Sequence, residues 1–310
     1  MKLDYEQVRR LLALKPNHTY AQLAQLEFGD ANKASELRKS LLDARNNIVI
    51  PEPAEKLVAS VLTIPYADAL IIGDIHTPYQ NSELLNTAIE LARAAKIKQV
   101  DIAGDLHDFN AISPMNKGEP STDVDTDISH ARQILHVLAY HFESIRVVSG
   151  NHDEYWLKKH RGSTFQDLIY NEVLQGQLSN QVTATDYDYF LRGDDWVVGH
   201  LSSYHEDPGY LASRIADLFD RNVAVGHDHL RGHRYGEKGH IGISIGAMLT
   251  PDRFWYKSRR LNVFPPFMLG FLLLINNHPF HFSDIGNTPL NGNRRNFDYW
   301  KKYFKEGKHL

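Results

Sequence analysis

The 310-residue chain contains no cysteine, so disulfides and thiolate zinc sites are excluded and any metal must be held by His, Asp, Asn or Glu. Such donors favour harder or borderline ions such as manganese, iron or zinc. A long apolar run is also missing. The most hydrophobic stretch, residues 267–275, is far too short to span a bilayer, and Met1-Lys2-Leu3-Asp4-Tyr5-Glu6 lacks the charged-then-apolar layout of a secretory signal. A cytoplasmic protein with no membrane partner is expected. Neither G-x-x-x-x-G-K-S/T nor H-E-x-x-H occurs, which removes the P-loop nucleotidases and the zincin proteases. Gly242-Ile243-Ser244-Ile245-Gly246 matches a nucleophile elbow in letters alone. The following Ala247-Met248-Leu249-Thr250-Pro251 offers no helix, so the segment reads as a packed strand.

With 42% apolar residues, the chain can bury a substantial core and has room for one large domain and a small one. Its net charge of −4 conceals an uneven distribution: residues 1–48 carry eight Lys/Arg against six Asp/Glu, and residues 285–310 carry six against two. The middle is therefore acidic, as a carboxylate metal site would make it, while the basic ends suit a polyanion or simple solubility.

Residues 1–48 read as three short helices. Asp4 can cap the first, in which Val8, Leu11 and Leu12 follow helical spacing; Thr19-Tyr20-Ala21-Gln22 is a capping box for the second, with Ala21, Leu23, Ala24 and Leu26. Asp30 is placed to cap a third helix reaching about Asn46, with Ala34, Leu37 and Leu41 inward and Arg38 and Arg45 two turns apart on one face. Two short helices joined by a glycine-containing turn resemble a helix-turn-helix, in which Arg38 and Arg45 would contact nucleic acid. A helical hairpin packed on the main domain, or joining two subunits, has the same pattern. Pro51, Pro53 and Pro65 mark residues 49–66 as a linker.

From residue 67 strands and helices alternate. Strands are expected at 69–72, 99–103 and 145–148, with helices at about 83–95 and 127–142 between them, a βαβαβ beginning. The second half has less helix: one opened by a capping box at Ser163 to Gln166, another over 211–219, and strands near 187–191, 196–199, 222–225, 241–245 and 270–275. Residues 287–296 are Asn-rich and read as loop, inside a basic tail over 286–310.

Five motifs fall at the ends of these strands: Gly73-Asp74-Ile75-His76, Gly104-Asp105-Leu106-His107-Asp108, Gly150-Asn151-His152-Asp153, Gly199-His200 and Gly226-His227-Asp228-His229. Ligands of open α/β sheets gather outside the carboxyl ends of the strands. Residues two apart at a strand end share a side, so Asp74 and His76 can share an ion, and His227 and His229 can line one rim. The glycines keep side chains out of the cluster, and the two oxygens of Asp105 can bridge two cations about 3.5–4 Å apart.

The series D-x-H, G-D-x-x-D, G-N-H-D, G-H and G-H-x-H, in order over residues 73–229, resembles the calcineurin-like metallophosphoesterase superfamily, of the type encoded by bacteria and phages. The resemblance implies an α/β fold, a four-layer αββα sandwich over residues 67–285, here preceded by a small N-terminal helical domain; a phage gene would place it in the host cytoplasm. It implies two divalent metal ions, Mn2+ first with Fe or Zn as alternatives, one held by Asp74, His76, Asp105 and His229 and the other by Asp105, Asn151, His200 and His227. A water shared by two such ions loses a proton near neutral pH and attacks phosphorus in line. His152 then looks like the general acid, with Asp108 orienting its ring. His107 is outside the family pattern; it could stand behind the ligands or be exposed, and exposure is the expectation.

The phosphoprotein branch of the superfamily carries an arginine directly after G-D-x-x-D, where this chain has Phe109-Asn110, so phosphoprotein hydrolysis is disfavoured. Two substrate classes remain. A phosphodiesterase or nuclease acting on DNA or RNA would use the basic ends, with Arg231, Arg234, Arg253, Arg259 and Arg260 as further contacts. A phosphoesterase for a small molecule or nucleotide would instead close its pocket with residues 109–126 and 202–209. A non-catalytic nucleic-acid-binding protein on the same fold is the reading outside enzymology. The oligomeric state has no signal in the sequence.

Overall fold

The structure, a computed structural model, describes residues 3, 5–46, 61–116, 118, 120–250, 267–283 and 294–307. Asp4, Arg253, Arg259, Arg260, most of the expected linker and the side chains of Leu12 and Arg45 lie outside the described residues. The chain divides into two compact units, Met1–Ala59 and Ser60–Leu310.

The first unit is helical, with α1 (Tyr5–Leu14), α2 (Tyr20–Phe28) and α3 (Ala34–Asn46). Its core is small: Leu11, Leu23, Ala24, Leu37 and Leu41 are buried, one or two from each helix. The capping box at Thr19 and Gln22 is formed as expected, and Gly29 closes α2 in the left-handed conformation. Two details differ from the sequence reading. Asp30 caps a short 3-10 turn, Ala31–Lys33, that leads into α3 rather than α3 itself, and Leu26 points outward, 65% exposed. Arg10 pairs with both oxygens of Glu27 to fasten α1 to α2. Arg38 is exposed on α3.

The second unit runs β1 (Thr63–Ile64), β2 (Ala69–Ile72), α4 (Ser82–Ala94), β3 (Gln99–Ile102), α5 (Val124–His141), β4 (Ser144–Val148), α6 (Asp153–Lys159), α7 (Phe165–Asp167), β5 (Val182–Thr185), β6 (Tyr189–Arg192), β7 (Trp196–His200), α8 (Tyr210–Phe219), β8 (Asn222–Gly226), β9 (Arg231–Tyr235), β10 (Ile241–Ile245), β11 (Gly270–Ile275), β12 (His278–Ser283) and α9 (Arg294–Lys305). They build two six-stranded sheets, one in the order β1-β6-β7-β8-β10-β9 and the other β12-β11-β2-β3-β4-β5. β2 through β5 are parallel, as are β7, β8 and β10, so their carboxyl ends share an edge within each sheet.

Burial assigns the layers. Between the sheets, Ile71, Ala103, Val148, Phe190, Trp196, Val198, Ile243 and Leu272 form one core. The outer face of the second sheet is covered by α4 and α5, whose Leu84, Ala88, Leu91, Ala131, Leu135 and Leu138 are buried. α8 covers the first sheet through Ala212 and Ala216. This is the four-layer α/β sandwich expected from the sequence.

The carboxyl-terminal segment corrects the reading of residues 286–310 as a tail. Residues 294–305 form α9, which packs Phe304 into the main core at 1% exposure and sets Trp300 edge-on to Phe282 at 5.5 Å. Lys301 reaches Glu90 of α4 at 2.6 Å. The helix expected from Ser163 is capped one residue later, by Thr164 with Asp167, and passes at once into a π-helical turn, Leu168–Val173. Ser244 lies in β10 at 1% exposure, the packed strand expected of that pattern.

One buried ion pair ties the sheets together. Arg192 at the end of β6 donates to both oxygens of Asp101 on β3, at 2.8 and 2.6 Å, and to the Ala67 carbonyl and Gln99 side chain. Both charged side chains are fully buried. Removing one partner strands the other without water, which costs about 3–5 kcal/mol. Arg192→Met is therefore expected to lower the urea unfolding free energy by about that amount, and Arg192→Met with Asp101→Leu to recover much of the loss. A double variant no more stable than Arg192→Met would show that the pair's charge is not what holds the sheets.

Candidate metal centre

Each ligand-type side chain in the cluster sits just beyond a strand. Asp74 and His76 follow β2, Asp105 follows β3, Asn151 follows β4, His200 ends β7, and His227 and His229 follow β8. Three strands come from one sheet and two from the other, so the cluster forms where the carboxyl edges of the two sheets meet. Asp74, His76, Asp105 and His229 are all buried and offer ligand atoms within 4.8 Å of one another; Asp105, His200 and His227 form a second such group. The Asn151 side-chain oxygen lies 3.1 Å from His200 Nε2 and 2.7 Å from His227 Nδ1. All seven side chains expected from the sequence are brought together.

The close approach has a backbone cost. Asp74, His76, Asp105, His227 and His229 all have positive φ, between 47° and 98°, a region that non-glycine residues occupy at about 1–3 kcal/mol each. Neighbouring glycines make room. A Cβ on Gly150 would collide with the Asp105 carboxylate, and one on Gly104, itself at φ +81°, with the His200 ring.

Partners outside the cluster fix the imidazole orientations. His200 Nδ1 donates to the Ala103 carbonyl at 2.9 Å, and His76 Nδ1 donates to Asp108 Oδ1 at 3.2 Å. Both rings thus turn Nε2 inward, 3.4 and 3.7 Å from Asp105 Oδ2. His76 Nε2 and His229 Nε2 face each other at 3.2 Å. Convergent nitrogen lone pairs and buried carboxylates, with tautomers set from behind, suit a divalent cation. Charge within the cluster points the same way. Burial by itself would raise the Asp105 carboxyl, yet the His200 and His152 rings hold it well below the usual range. Burial would lower His200, yet Asp105 pushes it up to about 10. His227 is lowered to about 4 by burial and by the charge of His200.

His152 lies at the margin, its side chain 16% exposed where that of His76 is fully buried. Its ring meets His76 edge-on at 4.5 Å, and its backbone N–H donates to Asp105 Oδ1 at 2.8 Å. The geometry refines the part expected of Asp108. It is the Asp108 backbone carbonyl that accepts from His152 Nδ1, at 2.5 Å, while the carboxylate, 3.7 Å from that nitrogen, bonds His76.

His107 corrects the expectation of exposure: it is fully buried, stacked on Phe109 at 4.5 Å, with Nδ1 2.8 Å from Asp153 Oδ1. The second oxygen of Asp153 accepts from the Gly150 N–H at 2.9 Å. Asp153 therefore clamps the loop after β3 to the loop after β4. The letters of G-N-H-D contained it, but only its burial beside His107 reveals this task. Asp228 acts similarly, accepting from Leu230 N–H and the Ser244 hydroxyl, whose oxygen also accepts from Gly209 N–H.

Arg231 and Arg234 lie on β9, which leaves the loop of His229; Arg234 is exposed over the Tyr210 ring at 5.5 Å. Among the described residues no helix is long and apolar enough to cross a membrane.

A two-sheet α/β sandwich with an Asp/His cluster buried where its strands end is the build of a metal-dependent hydrolase. The chain belongs to the calcineurin-like phosphoesterase family, whose sequence profile matches residues 68–237, and is thereby a metal-dependent phosphoesterase. Comparison with curated protein sequences gives no significant match.

Asp127, in the first turn of α5, supports the rim of the site. Its carboxyl accepts from Phe109 N–H at 2.8 Å and from the Thr122 hydroxyl. Burial, with a further contribution from the Asp108 charge, pushes it up to about 7 from 3.8. The folded chain then holds a proton that the unfolded chain releases, so this group's contribution is complete below about pH 4 and is lost as pH rises through 7. Asp127→Asn mimics the protonated acid. The variant's stability relative to wild type should increase between pH 5 and pH 8 in urea titrations, and a pH-independent difference would contradict the assignment.

Proposed function

We propose that the chain is a two-metal phosphodiesterase acting on nucleic acid. Asp74, His76, Asp105 and His229 hold one divalent ion and Asp105, Asn151, His200 and His227 the second, with Asp105 shared; oxygen and imidazole donors without thiolate suit Mn2+. When bound, the ions neutralise phosphate oxygens and provide a nucleophile at neutral pH. The observation that carries this reading is the pair of inward-turned Nε2 atoms of His76 and His200, both directed at Asp105 by partners behind them.

His152 serves as general acid. Because its Nδ1 donates to the Asp108 carbonyl, Nε2 is the atom left to give a proton to the departing oxygen. The Asp108 carboxylate faces the charge that the ring carries when both nitrogens hold protons. Support for a nucleic-acid substrate comes from Phe109-Asn110 where the phosphoprotein branch has its arginine, and from the basic side chains Arg38, Arg231 and Arg234.

Manganese-loaded protein is expected to hydrolyse bis(p-nitrophenyl) phosphate at least tenfold faster than p-nitrophenyl phosphate and to nick supercoiled DNA. A preference for the monoester without nicking would transfer the reading to small phosphomonoesters. His152→Ala should keep its metal content yet lose about 10²–10⁴ in rate on an alkyl diester, and less on a nitrophenyl ester that leaves without a proton. Equal losses on both would remove His152 from the acid role. Arg38→Ala with Arg45→Ala should weaken DNA binding and make the log–log salt dependence shallower by about 1–2. Unchanged binding would take α3 out of the nucleic-acid interface.

A further inference from the structure

Beside His152 lies a cavity of about 320 Å³ that the metal cluster does not use. One wall is the turn Ala111, Ile112, Ser113 and Pro114, one residue after Asp108 and Phe109; the other is α6, which begins directly after His152. Tyr155, Lys158 and Lys159 line that wall, at the i, i+3, i+4 spacing that places side chains on one helical face. The Tyr155 ring is 5.1 Å from the His152 ring. At about 1.5 Å per residue, the backbones of Lys158 and Lys159 lie about 9 and about 10.5 Å along the helix from that of His152.

The walls differ in character. Ile112, Pro114 and the Tyr155 ring give the lining an apolar, partly planar part. Lys158 turns back along the helix, its ammonium 3.0 Å from Glu154 and 5.7 Å from the centre of the Tyr155 ring, while Lys159, one residue farther on, makes no ion pair among the described residues. The ammonium of a lysine is a compact point charge suited to phosphate.

A general acid stands on the side from which the leaving group departs. We propose that this cavity is the leaving-group subsite, and that it takes an alcohol carrying a second phosphate: a nucleoside whose planar base lies against Tyr155 and Pro114 and whose phosphate meets Lys159. The proposal rests on the phosphodiesterase reading above for its chemistry. It accounts for the position of the cavity, for its mixed apolar and basic lining and for a lysine, Lys159, that has no ion pair among the described residues.

The test compares the thymidine dinucleotide TpT with TpTp and pTpT, which add one terminal phosphate at either end, using manganese-loaded wild type and Lys158→Ala/Lys159→Ala. The products identify which nucleoside leaves. Wild type should show kcat/KM at least tenfold higher than on TpT when the extra phosphate is on the leaving nucleoside, and no such gain when it is on the other; the double variant should reduce that ratio to below twofold. A preference that survives in the double variant, or that follows the wrong phosphate, overturns the proposal. Calorimetry provides a readout independent of turnover: wild type should bind thymidine 3′,5′-bisphosphate at least tenfold more tightly than thymidine 5′-monophosphate, and the double variant should not. If no diester is hydrolysed, the phosphodiesterase reading fails on its own account, and equal affinities of wild type for the two nucleotides then overturn the subsite.

Discussion

Two buried carboxylates, Asp74 and Asp105, set the terms for everything around them. They sit at the ends of adjacent parallel strands, are fully buried or nearly so, and bring their oxygens within the same 4.8 Å cluster. At an effective dielectric of about 20, two like charges about 4 Å apart repel by about 4 kcal/mol, against a total folding stability of about 5–15 kcal/mol. A fold that places them so must set positive charge against them. The opposite sheet, through β7 and β8, contributes His200, His227 and His229 across the interlayer edge, and the backbone amides of His152 and His227 point at oxygens of Asp105 and Asp74. The sandwich thus has its electrostatic focus where its two layers meet.

The acidic residues of the motifs divide into two kinds. Asp74 and Asp105 face the cluster; Asp108 stands directly behind the His76 ring, and Asp153 and Asp228 hold the loops that carry the cluster. Asp153 joins the loops after β3 and β4, Asp228 joins the loop after β8 to β10, and Asp108 steadies the His76 ring. Positions of ligand atoms are therefore fixed by hydrogen bonds made from behind the cluster, as close coordination geometry requires.

Much of this was legible in the sequence because strand ends are legible. A buried parallel strand is a short apolar run, and a glycine-led polar motif after it marks both the end of the strand and the rim of the site. That logic located β2, β3, β4, β7, β8 and β10 and the motifs at the strand ends, within which the family resemblance singled out the seven clustered side chains. It failed where burial is one-sided. β9, with the sequence Arg-Gly-His-Arg-Tyr, and β12 are edge strands whose outer residues need no apolar character, and α9 follows an Asn-rich stretch that hides three well-spaced aromatic residues, Phe297, Trp300 and Phe304. Arg192 and Asp101, 91 residues apart in the chain, carry no local sign of their pairing. His107 looks like any surface histidine until Asp153 and Phe109 close over it.

The left-handed backbone at Asp74, His76, Asp105, His227 and His229 bears on how such a protein ages in evolution. Five residues hold conformations in which glycine or asparagine would be at ease, so substitution at these places relieves local strain while removing a donor. Selection for turnover and selection for folding pull in opposite directions at the same five codons. A lineage that no longer needed the chemistry would gain stability by discarding it, so inactive descendants would outlast the enzyme in a test of heat resistance, and an intact set of these residues records continued use.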